Sequence, residues 1–155
     1  MIALVQRVKV ASVSINSKIY SNINEGILVF LGIVNSDTAT DSEYIIKKLI
    51  NLRLFPSNSS NFELSVQSGK KSILVISNFT LASITRIGNR PDFRNALDPK
   101  NAEIIYEKFI SKLKNNHAMT ETGIFGEEMN IESKNWGPVT LIIDSNDRKI
   151  PRSNF

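Results

Sequence analysis

No cysteine occurs among the 155 residues, and the chain holds one histidine, His117, and one tryptophan, Trp136. The first absence excludes disulfides, thiolate nucleophiles and Cys-based zinc sites together, and it permits a reducing compartment. No apolar run approaches the roughly 20 residues of a membrane helix. The opening stretch "MIALVQRVKVASVSI" alternates apolar and polar residues, without a continuous apolar segment followed by a small-residue cleavage site. It therefore reads as a strand pair and not as a signal. From these absences we expect a cytoplasmic protein with no membrane partner. Internal repeats and low-complexity blocks are also lacking. What is there suits one globular domain: 41% hydrophobic residues on a chain long enough for a genuine core. Nineteen basic against fifteen acidic side chains give a net charge of +4 and a pI near 9.4, a bias that suits an anionic partner such as RNA.

Along the chain, strands are expected at Ile2 to Val8, Val10 to Ile15 and, after the turn signal "NEG", at Ile27 to Val34, a branched run apolar on both faces. Asp37 or Thr38 can cap a following helix whose Ile45, Ile46, Leu49, Ile50 and Leu52 share one face. "FELSV" reads as a short strand, "QSGKK" as a hairpin turn and "SILVISNFTL" as a second apolar strand. The "GKKS" within it lacks the earlier glycine of a phosphate loop, because Leu64 occupies that place. "TRIGNRPDF" is a basic loop. Asp98 and Pro99 then cap and start a second helix with Ala102, Ile105, Tyr106, Phe109, Ile110 and Leu113 at helical spacing. The chain from Met119 to Asp144 returns to strand. This order predicts an α+β fold, with two main helices on one face of a largely antiparallel sheet. The domain spans residues 1 to 145, and 146 to 155, "NDRKIPRSNF", read as a flexible basic tail.

A search for chemistry by residue type finds little. His117 sits at the end of the second helix, where a surface cation complements the dipole. Glu127 and Glu128 would face opposite ways on a strand, so no metal site is expected, and no cofactor. The "NFT" at Asn78 to Thr80 matches a glycosylation acceptor only by chance. Ser77 and Thr80 are candidate nucleophiles without a visible base. An enzyme so equipped must rely on backbone donors, hydroxyls and substrate groups. Hydrolysis of an activated ester is such a reaction, because its intrinsic barrier is low and oxyanion stabilisation supplies much of the rest. The stretch "NWGPVT", Asn135 to Thr140, sets two strand breakers before an apolar run, either as a turn into "VTLIID" or as a bend that presents carbonyls to a ligand.

Taken in order, "QRV", "ASV", "GILVFLGI", "NLRLF", "LSV", "ILVISNFTL", "GNRPDF", "TGIFG" and "NWGPVT" make the chain similar to the D-aminoacyl-tRNA deacylases, the D-tyrosyl-tRNA(Tyr) deacylase family, over roughly residues 1 to 145. Two motifs are specific: Ser-Gln-x-Thr, present as Ser77, Asn78, Phe79, Thr80, and Asn-x-Gly-Pro-x-Thr, present as Asn135 to Thr140. The resemblance implies a fold of layered sheets and helices, and a homodimer that hydrolyses the ester of D-aminoacyl-tRNA, with each pocket built across the subunit interface. It implies a cis Gly137–Pro138 bond inserted into the other subunit's pocket, where carbonyls hold the substrate ammonium and an L side chain is excluded. Glycyl-tRNA would then also be accepted. By the same resemblance Ser77, Asn78 and Phe79 bind substrate, the Thr80 hydroxyl lies near the ester, Arg7 braces the Gly-Pro segment, and Asn135 and Thr140 support it. Arg86, Arg90, Lys70 and Lys71 are candidates for phosphate contacts. Asn78 stands where the family usually has glutamine, and Trp136 occupies a position often small or acidic. The competing expectations are a relative that deacylates L-alanyl-tRNA(Thr) through a trans bond, and a non-catalytic RNA-binding module of the same fold.

Overall fold

In a computed structural model, which describes residues 1–86 and 88–151, the first fourteen strand residues are unbroken: β1 runs from Ile2 to Ile15. The expected pair of strands is one strand because bulges, at Gln6/Val8 and Val8/Val10, re-aim its side chains without ending the ladder. Ala3 and Val5 therefore enter one core, whereas Val8, Ala11 and Val13 enter another. Asn16 and Ser17, both at positive φ (50° and 62°), turn the chain into β2 (Lys18–Ile23), a strand the polar sequence did not announce. β3 (Gly26–Gly32) continues along the same edge, so that β2 covers Ala11 to Ile15 and β3 covers Ile2 to Val8.

Helix α1 (Ala39–Asn51) starts at Thr38, whose capping box with Asp41 satisfies the first turn, and buries Ile45, Ile46, Leu49 and Ile50. β4 (Ser72–Ser77) lies parallel to β3. Its apolar run was expected to extend to Leu81, but the strand stops at Ser77 and Phe79–Ala82 coil into a 3-10 turn. Helix α2 (Pro99–Asn116) begins where expected, with the Asp98 side chain accepting from the Asn101 amide. β5 (Thr120–Thr122) is parallel to β4, and β6 (Asn130–Asp144) runs antiparallel along the free edge of β1.

The fold is α+β, but the sheet is mixed where a largely antiparallel one was expected. The β3–β4 and β4–β5 connections each carry a helix, and helical crossovers deliver parallel neighbours. In place of layered sheets, the described strands form one six-stranded sheet that curls like a barrel. Ser21 of β2 donates to the Thr122 carbonyl of β5 across the curl (2.7 Å), and Val8, Ala11, Val13, Leu28, Leu74 and Ile76 fill the inside. Both helices cover the other face, over Ala3, Val5, Ile27, Val29, Ile73 and Val75.

Several smaller expectations change. "FELSV" contributes a single bridge, Phe55 to Leu64. His117 is at the end of α2 but is buried, held by Gln67 Oε1 (3.2 Å) and the Lys71 carbonyl (2.7 Å), because the turn before β4 folds over it. Glu127 and Glu128 lie in the loop before β6 and not on a strand. The expected tail begins with structure: Ser145–Lys149 form a 3-10 turn with Ser145 buried, and Arg148 donates to Asp41 of α1 and to the Ser145 carbonyl. Residues 152–155 of that tail, and Ile87 of the basic loop, lie outside the described residues. No helix among the described residues is long and apolar enough to cross a membrane.

Candidate active site

At the carboxyl end of β4 the chain must turn sharply, and Gly32 on the neighbouring strand makes room. A Cβ there would meet Leu81 Cβ at 2.9 Å and the Asn78 carbonyl at 3.1 Å. Asn78 donates its amide to Leu31 (2.8 Å), which carries the β3–β4 ladder one step past Ser77. Its side chain then folds forward. Asn78 Oδ1 accepts from the Thr80 amide (3.1 Å) and from the Thr80 hydroxyl. The shorter amide thus acts as the cap of the 3-10 turn. The clasp has two consequences for donors at this site: the Thr80 amide is occupied, whereas the Phe79 amide donates to no group among the described residues. With its proton directed to Asn78, the exposed Thr80 hydroxyl presents its lone pairs outward as an acceptor.

Ser77, Asn78 and Phe79 line a pocket of about 600 Å³, walled mainly by apolar side chains that include Phe93, Leu97, Phe125 and Met129, with Asp98 and Glu127 as its acidic members. Phe79 is 58% exposed and meets Phe93 edge to face, ring centroids 5.0 Å apart. A volume of this order suits a small-molecule-sized group with a few fixed polar contacts. Among the described residues no group of three or more histidine, aspartate or glutamate side chains is placed to hold a metal ion.

The second motif sits elsewhere. Gln6 pairs with Thr140 and Val8 with Asn135, so the four residues from Trp136 to Val139 stand opposite Arg7 alone. The surplus leaves the ladder as a bulge in which Gly137 and Pro138 are exposed and joined by a cis peptide bond. Below it, Arg7 is only 8% exposed and donates through Nε to the Trp136 carbonyl (2.8 Å) and through Nη1 to the Leu54 carbonyl (2.6 Å). Burial lowers the Arg7 pKa from its ordinary value. The Trp136 ring packs edge-on to Phe55 and lies beneath two cations, Arg7 Cζ at 4.7 Å and Lys9 Nζ at 3.3 Å from its centroid. Asn135 accepts from Ser133 Oγ (3.0 Å), and Thr140 is exposed on the ladder beside Gln6.

The two motifs do not meet within one chain. Arg7 is level with Ile27 and Ile73, Ser77 with Leu31 and Ala3, so the bulge and the pocket rim lie four residues apart along the sheet and three strands apart across it. That separation is roughly 20 Å at ordinary strand rise and spacing. No residue from 135 to 140 lines the pocket. Sequence reasoning missed Phe93, Leu97, Phe125 and Met129 as pocket residues. Only their apolar character on loops marked them.

The structure is thus a mixed α+β barrel with an apolar-walled pocket, beside which stand a free backbone amide and an oriented hydroxyl with no ionisable base hydrogen-bonded to that hydroxyl among the described residues. The comparisons make this specific. Residues 4–144 match the family described as D-Tyr-tRNA(Tyr) deacylase, and the chain belongs to that family. It is 46% identical over 147 residues to a D-aminoacyl-tRNA deacylase of Aquifex aeolicus (strain VF5), covering 95% of this chain and 99% of that one. Among solved structures it resembles one named "c-Myc DNA Unwinding Element Binding Protein", at 37% identity and a TM-score of 0.89 over 93% of this chain and 98% of that one. A structure described as a "probable eukaryotic D-amino acid tRNA deacylase" shares the fold at 15% identity, with a TM-score of 0.82 over 92% and 98% of the two chains.

Proposed function

We propose that this chain is an ester hydrolase that removes D-amino acids from aminoacyl-tRNA in the cytoplasm, releasing free D-amino acid and tRNA, and that it works as a homodimer. The observation that carries the reading is the Asn78–Thr80 clasp at the mouth of the 600 Å³ pocket, in a chain of this family. The terminal aminoacyl-adenosine enters the pocket with its ester at the rim. The unoccupied Phe79 amide donates to the ester carbonyl oxygen as negative charge grows there. The Thr80 oxygen accepts a hydrogen bond from the attacking water, or from the ribose hydroxyl beside the ester, and so positions it. The water oxygen bonds to the carbonyl carbon and releases a proton to solvent, while the cleaved C–O bond leaves its electrons on the ribose oxygen, which takes a proton from solvent in turn.

The second copy supplies what a single chain lacks. Carbonyl oxygens of its exposed Gly137–Pro138 bulge receive the substrate ammonium, and with ammonium and ester both fixed an L side chain meets backbone. The outer edge of β6 supports this association. It is fifteen residues long, pairs with no strand among the described residues and carries Ile142 at 72% exposure. Glycine, with no side chain to exclude, is also a substrate on this reading.

The test is hydrolysis of matched D-Tyr-tRNA and L-Tyr-tRNA, with Gly-tRNA alongside. Rapid loss of the D and glycyl esters with the L ester spared is the expected result. Equal loss of the D and L esters would remove the exclusion mechanism, and survival of all three would remove the activity.

A further inference from the structure

We infer that the loop between Ile84 and Asp92 is a docking site for the phosphodiester backbone of the tRNA acceptor end, held by Arg86 and Arg90. The inference rests on the deacylase reading for the identity of the RNA, but the site is argued from its own geometry. Ile84 and Asp92 close the loop with reciprocal backbone hydrogen bonds (2.8 and 3.1 Å), so a stem anchors it. Phe93, the next residue, lines the pocket and meets Phe79 edge to face. Arg90 is three residues from Phe93, which limits their Cα separation to about 11 Å. Arg86 is two residues from the other side of the stem. Both arginines are exposed, and among the described residues neither lies within ion-pair distance of a carboxylate. Arg94, by contrast, is held by Asp92 at 2.5 Å. Gly88 sits between the two at φ +67°, and among the described residues, its chain neighbours aside, none comes within 4 Å of where a Cβ would stand.

The ligand class follows from placement. A guanidinium is a fork of donors matched to phosphate oxygens. The only phosphates certain to lie beside a pocket that holds the aminoacylated terminal nucleotide are those of the nucleotides just before it. The pocket's acidic members, Asp98 and Glu127, would repel the same phosphates, whereas the arginine loop offers the strand a path of attractive charge. The structure also separates these arginines from Lys70 and Lys71, the other two cations that the sequence offers as phosphate contacts. Lys71 is bound to Glu25 at 2.6 Å, and Lys70 and Lys71 precede β4, whose six residues place them roughly 20 Å from the rim.

The experiment measures binding of uncharged tRNA as a function of salt for the wild type, Arg86→Ala/Arg90→Ala and Lys70→Ala, together with cleavage of a D-aminoacyl ester of adenosine, which has no internucleotide phosphate. Loss of two phosphate contacts lowers the log–log salt slope by about 1.5, so between 50 and 200 mM salt the wild type should lose about eightfold more affinity than the double variant. Lys70→Ala should keep the wild-type slope, and the double variant should cleave the adenosine ester at the wild-type rate. An unchanged slope in the double variant would overturn the inference, and so would a slope lowered equally by Lys70→Ala. If the double variant also loses the adenosine ester activity, the arginines serve the pocket itself and the phosphate assignment fails. A wild type inert on every ester refutes the deacylase reading alone, since the salt slopes still decide the RNA site.

Discussion

Replacing Arg7 by lysine tests the link between the buried strand and the exposed bulge. The guanidinium reaches two carbonyls at once, Trp136 at 2.8 Å and Leu54 at 2.6 Å, while its Cζ lies 4.7 Å from the centroid of the Trp136 ring. A lysine ammonium keeps the charge but satisfies only one of two acceptors that point from different segments. One charge-assisted bond at a buried site is worth about 1.5–3 kcal/mol, and the weaker contact with the ring adds about 0.5–1. Arg7→Lys should therefore cost about 2–4 kcal/mol in denaturant unfolding, or a fall of roughly 5–12 °C in Tm for a chain of this size. Arg7→Met, which leaves both carbonyls unpaired, should cost more. The functional consequence is separable from stability, because Trp136 immediately precedes Gly137. At a temperature where circular dichroism shows the variant fully folded, kcat/KM on D-aminoacyl-tRNA should still fall by roughly tenfold or more, as displacement of a positioning group does. An Arg7→Lys protein within about 0.5 kcal/mol of the wild type and equally active would refute the reasoning. Arg7 would then be an ordinary strand residue.

Asn78→Ala removes the cap of an exposed 3-10 turn, so unfolding should shift by only about 1 kcal/mol, yet the freed Thr80 hydroxyl should lower kcat by roughly tenfold to a hundredfold. Equal kcat in the two proteins would show that the clasp has no role. For the shared site, Thr80→Val can be mixed with a variant lacking Gly137 and Pro138, a deletion the surplus residues opposite Arg7 should absorb. After subunit exchange half the dimers are mixed and each holds one complete site, so about one quarter of wild-type activity should return; no recovery would count against pockets built from two chains. Glu25 is held at about 2 by hydrogen bonds from Lys71 and Lys9. A depressed carboxylate stabilises the fold above its unfolded pKa, and that contribution disappears as pH falls through the folded value. Glu25→Gln should thus cost no more than about 1 kcal/mol near pH 6, given a side chain that is 38% exposed, and the difference from the wild type should close between pH 4.5 and about 2 in acid unfolding.

The helices were legible because their signals are local. Thr38 and Asp98 cap where a short polar side chain precedes a periodic apolar face, and nothing distant alters that. The strands were harder. β2 is missing from the sequence reading because "KIYSNI" shows no buried alternation, and its place is fixed by the Asn16–Ser17 turn and by the edge of β1 that it covers. β1 looked like two strands because buried Arg7 and Val8 are adjacent, which breaks a period of two. A bulge reconciles the two faces, but only β6, more than a hundred residues later, creates it. His117 misled for the same reason. Its partners, Gln67 and the Lys71 carbonyl, come from the turn that precedes β4 in the chain and make an expected surface cap a buried bridge.

The site divides along the same line between local and distant information. "SNFT" and "NWGPVT" identified the family by resemblance, and the local chemistry of the first is short-range: an asparagine two residues before a threonine can fold back on its amide and hydroxyl. What no motif spacing expresses is that β6 joins the sheet through β1, on the side away from β4, which keeps the bulge some 20 Å from the pocket rim. Each half is then incomplete alone. The pocket has a free amide at Phe79 and, one residue beyond its lining, an oriented hydroxyl, but it receives nothing from the second motif, and the bulge exposes backbone acceptors away from it. Bringing a second motif from elsewhere in the same chain would require breaking the β1–β6 ladder, which runs from Ile2 to Ser14. A second copy needs no such cost. Because a two-fold axis applies the same displacement to both chains, any docking that carries one bulge to its partner's pocket completes both sites at once. On the proposed reading, this is why so little ionisable chemistry is needed in either half: the selectivity lies in a backbone placed by symmetry.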